Sequence, residues 1–382
     1  MNYPSLSYNW SFQDYWGAFR VRLGLGRSSY RIDPGLYTLG TPGEEDPILV
    51  TANYKLSADH LRRALRGRNA WILVLDTKGV NVWCAAGKGT FGTEELIHRI
   101  EETDLSGKKG NRLLILPQLG APGVCAPRVE RATGFRVVYG PVRAKDLPDF
   151  IDSGLKATGQ MRRVTFSLPE RVVLIPVELT GAILPTILLL CLLSLIGALA
   201  TGAGALLGFN QPHRSTQHPG SSPDLHSFLE PGSGAPFLAS LLWVSFQAFF
   251  PLLPAAILEV ILFPILLPLL PGRAFSFKGT ILAVLGIGAF LGVASAFPGA
   301  LSPILSSPVR TSPALLFRVL PYVFLLGSTV SFLAMNFTGS TPFTSLSGVL
   351  KEMRIALPLQ LGAFLVGTAW LWIDLFMRRG TL

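Results

Sequence analysis

Cysteine is nearly absent from this chain, with three in 382 residues. Cys84, Cys125 and Cys191 stand far apart, which excludes a C-x-x-C dithiol and gives no disulfide framework. Three separated cysteines also cannot hold a four-iron cluster. Charge is scarce as well: Asp, Glu, Lys and Arg make up 15% of the chain, against about a quarter in an average soluble protein. The opening stretch MNYPSLSYNWSFQDYWGAFRVRLG lacks a basic start followed by an apolar core, so no secretory signal is expected. The first domain is then expected to stay in the cytoplasm, where thiols are kept reduced. The net charge of +10 arises from scattered Lys and Arg. Cytoplasmic flanks of membrane segments carry such an excess, and nucleic acid is not expected as a partner.

Nucleotide and zinc motifs are missing too. GKGT at 87–90 resembles part of a phosphate-binding loop, but Val82 stands where its first Gly is needed and Gly89 where Ser or Thr should follow Lys88. No G-x-G-x-x-G occupies that loop, and His98 is the only other candidate zinc ligand near Cys84.

What the chain does contain is apolar sequence, unevenly placed. Residues 1–165 mix charged and apolar stretches, whereas residues 166–382 are dominated by long apolar runs. A spanning helix needs about 20 mostly apolar residues, and segments near 172–206, 236–270, 279–298, 313–336 and 355–377 qualify. The second holds Pro251, Pro254, Pro264 and Pro268 and reads as one kinked, tilted span. With the N-terminus inside, inner flanks carry Arg162, Arg163, Arg171, Arg273, Lys278, Lys351 and Arg354. Outer flanks carry Arg214, Arg310, Arg378 and Arg379, so the balance favours a cytoplasmic N-terminus. The 207–235 segment becomes an external loop, whose His213, His218 and His226 read as solvated. Cys191 reads as a small buried thiol. Glu178 and Glu259 lie in apolar surroundings, but no internal repeat accompanies them, so anchoring or partner docking is expected rather than transport.

In the first domain, AWILVLD (70–76), NRLLILPQL (111–119) and FRVVYGPV (135–142) read as strands, with VNVWC (80–84) a further extended stretch. TEELIHRIEETDL reads as a helix with Thr93 as N-cap, and RVERATG and AKDLPDFIDSGL read as helices. Strand and helix alternate, which predicts an α/β domain with a mainly parallel sheet, followed by an all-α transmembrane domain of about five helices. Ligands of such sheets bind beyond the strands' carboxyl ends. The loops expected there, CAAGKGTFG, PQLGAPGVCAP and YGPVRA, contain Gly87, Gly89, Gly120, Gly123 and Gly140. Small residues let backbone lie close to a large flat or phosphate-bearing ligand. Spacing alone leaves a structural cysteine and a ligand-facing thiol at Cys84 equally weighted. Cys125 reads as a buried small hydrophobe.

The string NVWCAAGK, Asn81 to Lys88, resembles the signature of the membrane-anchored corrinoid protein of microbial mercury methylation. The resemblance continues through LILPQLGAPGV and GFRVVYGPVRA. The domain also resembles the corrinoid domain of the corrinoid iron–sulfur proteins of acetyl-CoA synthesis. The resemblance implies a Rossmann-like domain binding a base-off, cobalamin-type corrinoid, with the Cys84 thiolate as lower axial ligand of cobalt. Asn81, Val82, Trp83, Cys84, Ala85, Ala86, Gly87, Lys88, Gly89, Thr90, Gly120, Gly123 and Gly140 would then line the cofactor. Ala85, Ala86 and Gly87 would give the ring room, Lys88 and a nearby helix N-terminus would favour the thiolate, and Asn81 would bond loop backbone or corrin amides. Trp83 is read as filling core rather than covering the ring. The implied reaction is methyl transfer from methyl-cobalt(III) to mercury(II). The implied partners are a ferredoxin-like protein with two [4Fe–4S] clusters and a methylated folate-type donor system. The implied location is the cytoplasmic membrane, with the chain in contact with membrane lipid and its first domain facing the cytoplasm. A membrane-bound methyl carrier with another acceptor is the alternative, and a domain that only binds or senses a ligand through Cys84 is a third.

Overall fold

Apolar runs bounded by Pro, Gly, Asn and Asp set the strands of this protein. The structure, a computed structural model, describes residues 3–108, 110, 112–206, 242, 245–296, 313–337 and 346–380. The chain divides into two compact units, Met1–Thr165 and Phe166–Leu382. In order, the first contains β1 (Ser5–Leu6), α1 (Phe12–Arg22), β2 (Gly35–Leu39), β3 (Ile48–Ala52), α2 (Lys55–Ala64) and β4 (Ala70–Leu75). There follow α3 (Val82–Lys88), α4 (Thr93–Glu102), α5 (Leu105–Lys108), β5 (Leu113–Leu116), α6 (Ala126–Thr133), β6 (Arg136–Tyr139) and α7 (Leu147–Asp152).

The sheet order is β1-β2-β4-β3-β5-β6. Strands β4, β3, β5 and β6 run parallel, β2 is antiparallel to β4, and β1 is parallel to β2. All five residues of β3 are buried, as expected of a strand covered on both faces. Alternate side chains divide between two cores. Val50, Leu73, Leu75 and Leu114 meet Ala85, Leu96, Ile100 and Val129 from α3, α4 and α6. Leu49, Ile72 and Ile115 meet Leu61 and Leu65 of α2 and Phe150 of α7 on the other face. The chain steps from β3 to β4 on one side, then returns past β3 to β5. Right-handed crossovers in opposite directions put their helices on opposite faces. The reversal falls between β3 and β5, and doubly wound sheets bind ligands beyond the carboxyl ends of the strands at such a point.

Helix α1 is fastened by its inner face. Ser11 and Asp14 form a capping box: the Asp14 N–H donates to Ser11 Oγ at 3.2 Å and the Ser11 N–H donates to Asp14 Oδ2 at 2.8 Å. Asp14 also pairs with Lys55 and, at 2.7 Å, with Arg62, which reaches Asp59 at 2.8 Å. Burial opposes charge on Asp14, but hydrogen bonds from Lys55, Ser11 and Arg62 outweigh it and hold the carboxyl well below the usual carboxylate range. Its contribution is therefore complete above the unfolded value of 3.8 and is lost as pH falls below it. Asp14→Ala leaves Lys55 and Arg62 to share the single carboxylate of Asp59 and should cost about 3 kcal/mol. In thermal melts below pH 4, the variant should also show a shallower loss of stability with acidification than the parent.

Among the described residues of the second unit, five helices are long and apolar enough to cross a membrane: Leu168–Leu199, Ser245–Leu266, Phe275–Gly292, Val319–Asn336 and Gly348–Asp374. The second breaks at the Phe250–Pro251 turn before continuing as Leu252–Leu266, and most of the 236–244 stretch expected to belong to it lies outside the described residues. The buried Lys278 ammonium donates to the carbonyls of Leu267, at 3.0 Å, and Leu270, satisfying groups just beyond that helix. Glu259 is buried and Glu178 half-buried. Cys191, expected to be buried, is exposed on the first spanning helix, where a thiol passes as a small apolar group. The 207–235 loop and its His213, His218 and His226 lie outside the described residues.

Candidate functional site

Between β4 and α3 the chain makes a tight turn that is held from below. Lys78 and Gly79 have φ of 58° and 74°. A Cβ at Gly79 would lie 2.6 Å from the Ser28 carbonyl oxygen, so only glycine fits. Asn53, fully buried at the end of β3, anchors this turn. Its Oδ1 accepts the N–H groups of Thr77 at 3.1 Å and Gly79 at 2.9 Å, and its Nδ2 donates to Asp76 Oδ1 at 3.1 Å. The Thr77 hydroxyl donates to the Val80 carbonyl at 2.6 Å. The Asp76 N–H donates to Glu95 Oε1 at 2.8 Å, which ties the turn to α4.

The turn delivers Asn81 as the cap of α3. Asn81 Oδ1 accepts the Cys84 N–H at 3.0 Å, satisfying a donor that the first helical turn leaves free. Residues 80–84, expected as extended, are thus a cap and a helix. Two features outweigh the alternating pattern of VNVWC: the Asn81 cap, and the burial gained by turning Ala85 and Ala86 onto the sheet. Those two alanines are buried in the core, where their small size lets α3 sit close to the strands. Cys84, Gly87 and Lys88 are exposed, and at Gly87 an added Cβ would meet nothing within 4 Å. Trp83, read as core, is 40% exposed beside Cys84. Gly89, at φ 79°, ends the helix, and the N–H groups of Thr90 and Phe91 return to the Ala85 carbonyl.

Phe91 is fully buried and joins α3 to the next loop. A Cβ on Gly120 would lie 2.5 Å from the Phe91 ring, and one on Gly123 would lie 2.1 Å from the Phe91 carbonyl oxygen and 3.1 Å from Ala86 Cα. Gly140 packs on Ile115. These three glycines bring the loops together rather than lining open space. Gly123→Ala is accordingly expected to destabilise the first unit by about 2 kcal/mol through overpacking, read as a lower melting temperature. The Thr93 N–H donates to the Gly123 carbonyl at 3.2 Å, and the Cys125 N–H donates to the Thr93 hydroxyl at 2.9 Å. Tyr139 donates to the Val124 carbonyl at 2.6 Å. Thr93, expected as an N-cap, is the first helical residue after the cap Gly92, and its hydroxyl serves the 117–125 loop instead. Cys125, expected to be buried, is exposed.

The arrangement presents an exposed soft donor, Cys84, on α3 near the open side of Gly87, with a second exposed thiol, Cys125, at the end of the 117–125 loop. Among the described residues no group of three or more His, Cys, Asp or Glu is placed to hold a metal ion. Asn53, Phe91 and Tyr139 escape sequence reasoning, because nothing local distinguishes them from a turn residue, a core residue and a strand residue.

Comparison with known proteins finds similarity in the first unit. Residues 26–151 match a family model described as the CO dehydrogenase/acetyl-CoA synthase delta subunit. The acetyl-CoA decarbonylase/synthase complex subunit gamma of Methanopyrus kandleri is 35% identical over 128 residues, 33% of this chain and 27% of that protein. The subunit of the same name from Archaeoglobus fulgidus is 33% identical over 118 residues, 30% of this chain and 25% of that protein. The corrinoid/iron-sulfur protein large subunit of Moorella thermoacetica is 28% identical over 127 residues, 33% of this chain and 28% of that protein. The chain therefore spans about a quarter of the length of the curated relatives it matches, and the similarity falls within the α/β unit that carries Cys84.

Proposed function

We propose that the first unit binds a corrinoid over the carboxyl ends of β3, β4 and β5, and that the chain is a membrane-anchored methyltransferase acting on mercury(II). The observation that carries this reading is the exposed Cys84 thiol on the open face of α3, near Gly87, where an added Cβ would meet nothing within 4 Å beyond its own helix. A broad macrocycle needs such an opening, and the similarity to a protein named for its corrinoid supports the choice of ring. The residues fit the group: an exposed thiol donor on α3, no competing cluster of metal ligands among the described residues, and small residues setting α3 low on the sheet.

When bound, the corrinoid supplies a cobalt centre able to carry and release a methyl group. Cys84 would hold the cobalt through its sulfur, a soft and strongly electron-donating ligand that would favour release of the methyl group. Asn81 and the Asn53-held turn fix the height of that sulfur. Trp83 would cover part of the ring edge, and Gly87, Lys88, Gly89 and Thr90 would border it. Ala85, Ala86, Gly120, Gly123 and Gly140 act indirectly, by packing. The three free cysteines leave electron supply to a partner, proposed as a ferredoxin-like protein with two [4Fe–4S] clusters, and the methyl group to a methylated folate-type donor. The cationic flanks support a cytoplasmic face for the first unit, in the inner membrane.

The names of the relatives, which refer to acetyl-CoA chemistry, favour a second reading, a methyl carrier with a different acceptor. Single turnover of the corrinoid-loaded, methylated full-length protein separates the two. Loss of the methyl group to mercury(II) at a rate far above that of free corrinoid is expected, and a rate equal to free corrinoid supports the carrier.

A further inference from the structure

Helix α1 is built inside out. At 100° per residue, Phe12, Tyr15, Trp16 and Phe19 share one side of it, and they are 82%, 53%, 53% and 53% exposed. The residues turned inward are Asp14, Ala18 and Val21. An ordinary surface helix buries its large apolar side chains and shows its small and charged ones. Here the charged inner face is held by Lys55 and Arg62, so the aromatic side cannot roll under. Trp10, just before the helix, shows the contrast, since its indole donates to the Asp59 carbonyl at 3.0 Å and lies under Arg63. On the helix, Arg20 and Arg22 flank the aromatic side to left and right, and Arg27 is exposed beyond its end. The one acid of the helix, Asp14, is neutralised within.

Aromatic rings flanked by cations are the composition of a segment lying in the headgroup layer of a bilayer. The same chain supplies the bilayer: the first unit ends at Thr165 and the first spanning helix starts at Leu168. We propose that α1 lies flat in the membrane interface, its four rings at the level of the headgroups and its arginines on anionic phosphates, and so fixes one side of the first unit against the membrane. The proposal rests on the five spanning helices and is independent of the corrinoid reading.

The test uses the full-length chain in vesicles of phosphatidylethanolamine and phosphatidylglycerol, with the photo-crosslinking residue benzoylphenylalanine at position 16 in place of Trp16. Flotation first reports whether the spans insert, and a chain that does not float overturns the proposal together with its premise. In floated vesicles, mass spectrometry after irradiation should find lipid adducts on α1, and none when the probe replaces the exposed Arg131 of α6. An adduct to a second copy of the chain, or no adduct with the probe at either Trp16 or Phe19, overturns the proposal while leaving the spans intact. Replacing phosphatidylglycerol by phosphatidylcholine should lower the yield severalfold, and an unchanged yield contradicts the role given to the arginines.

Discussion

Cys84→Ala is expected to abolish methyl transfer to mercury(II) while leaving the fold intact. Altering a residue that only supports a metal ligand typically costs 10–100-fold, so loss of the proposed ligand itself should lower the single-turnover rate by at least about 100-fold. Stability should hardly change, because the side chain is exposed and alanine suits a helix; a shift within about 0.5 kcal/mol is anticipated. That split between rate and stability separates a ligand from a structural cysteine. Cys84→His and Cys84→Thr should lie between alanine and the parent, since each keeps a donor atom at this position. Methyl transfer that survives Cys84→Ala undiminished would refute the thiolate assignment.

Asn53→Ala should have the second-largest effect, on binding as well as stability. The substitution leaves the buried Thr77 and Gly79 N–H groups without their acceptor, each costing about 1–3 kcal/mol. A total near 3 kcal/mol is expected in thermal or denaturant melts. The freed turn also lets Asn81 and the start of α3 move, so corrinoid affinity, followed by absorbance titration, should weaken by at least about 10-fold. Asn53→Asp provides the sharper comparison. It keeps the acceptor for both N–H groups and nearly the same volume, but turns a carboxylate oxygen toward Asp76 Oδ1, where the amide now donates at 3.1 Å. If the hydrogen bonds set the turn, this variant also binds the corrinoid more weakly than the parent; an affinity equal to the parent's would mean that volume alone matters.

Cys84 and Asn53 mark where the sequence is legible and where it is not. The strands β4, β5 and β6 announce themselves as apolar runs ending at Asp76, Pro117 and Gly140, and the five apolar spans are read from length and composition alone. Cys84 stands out by rarity. Its helix does not, because VNVWC alternates as a strand would, and only the cap at Asn81 and the turn held by Asn53 reverse the choice. The cap is local, but Asn53 joins residues 24 and 26 positions away, beyond the reach of local propensity. The same limit explains Trp83 and Cys125: an aromatic and a thiol each read as core by type, yet the turn of α3 and the bond from the Cys125 N–H to Thr93 leave both exposed. The N-terminal helices α1 and α2 likewise find their places through contacts, chiefly the Asp14, Lys55, Asp59 and Arg62 pairs, that no periodicity announces.

The central claim is that Cys84 sulfur ligates the cobalt of a bound corrinoid. X-ray absorption at the cobalt edge of the corrinoid-loaded full-length protein tests it most directly. The account predicts a sulfur scatterer in the first coordination shell that disappears in Cys84→Ala. A shell of nitrogen and oxygen alone in the parent protein, or a sulfur signal that persists in the variant, would contradict it.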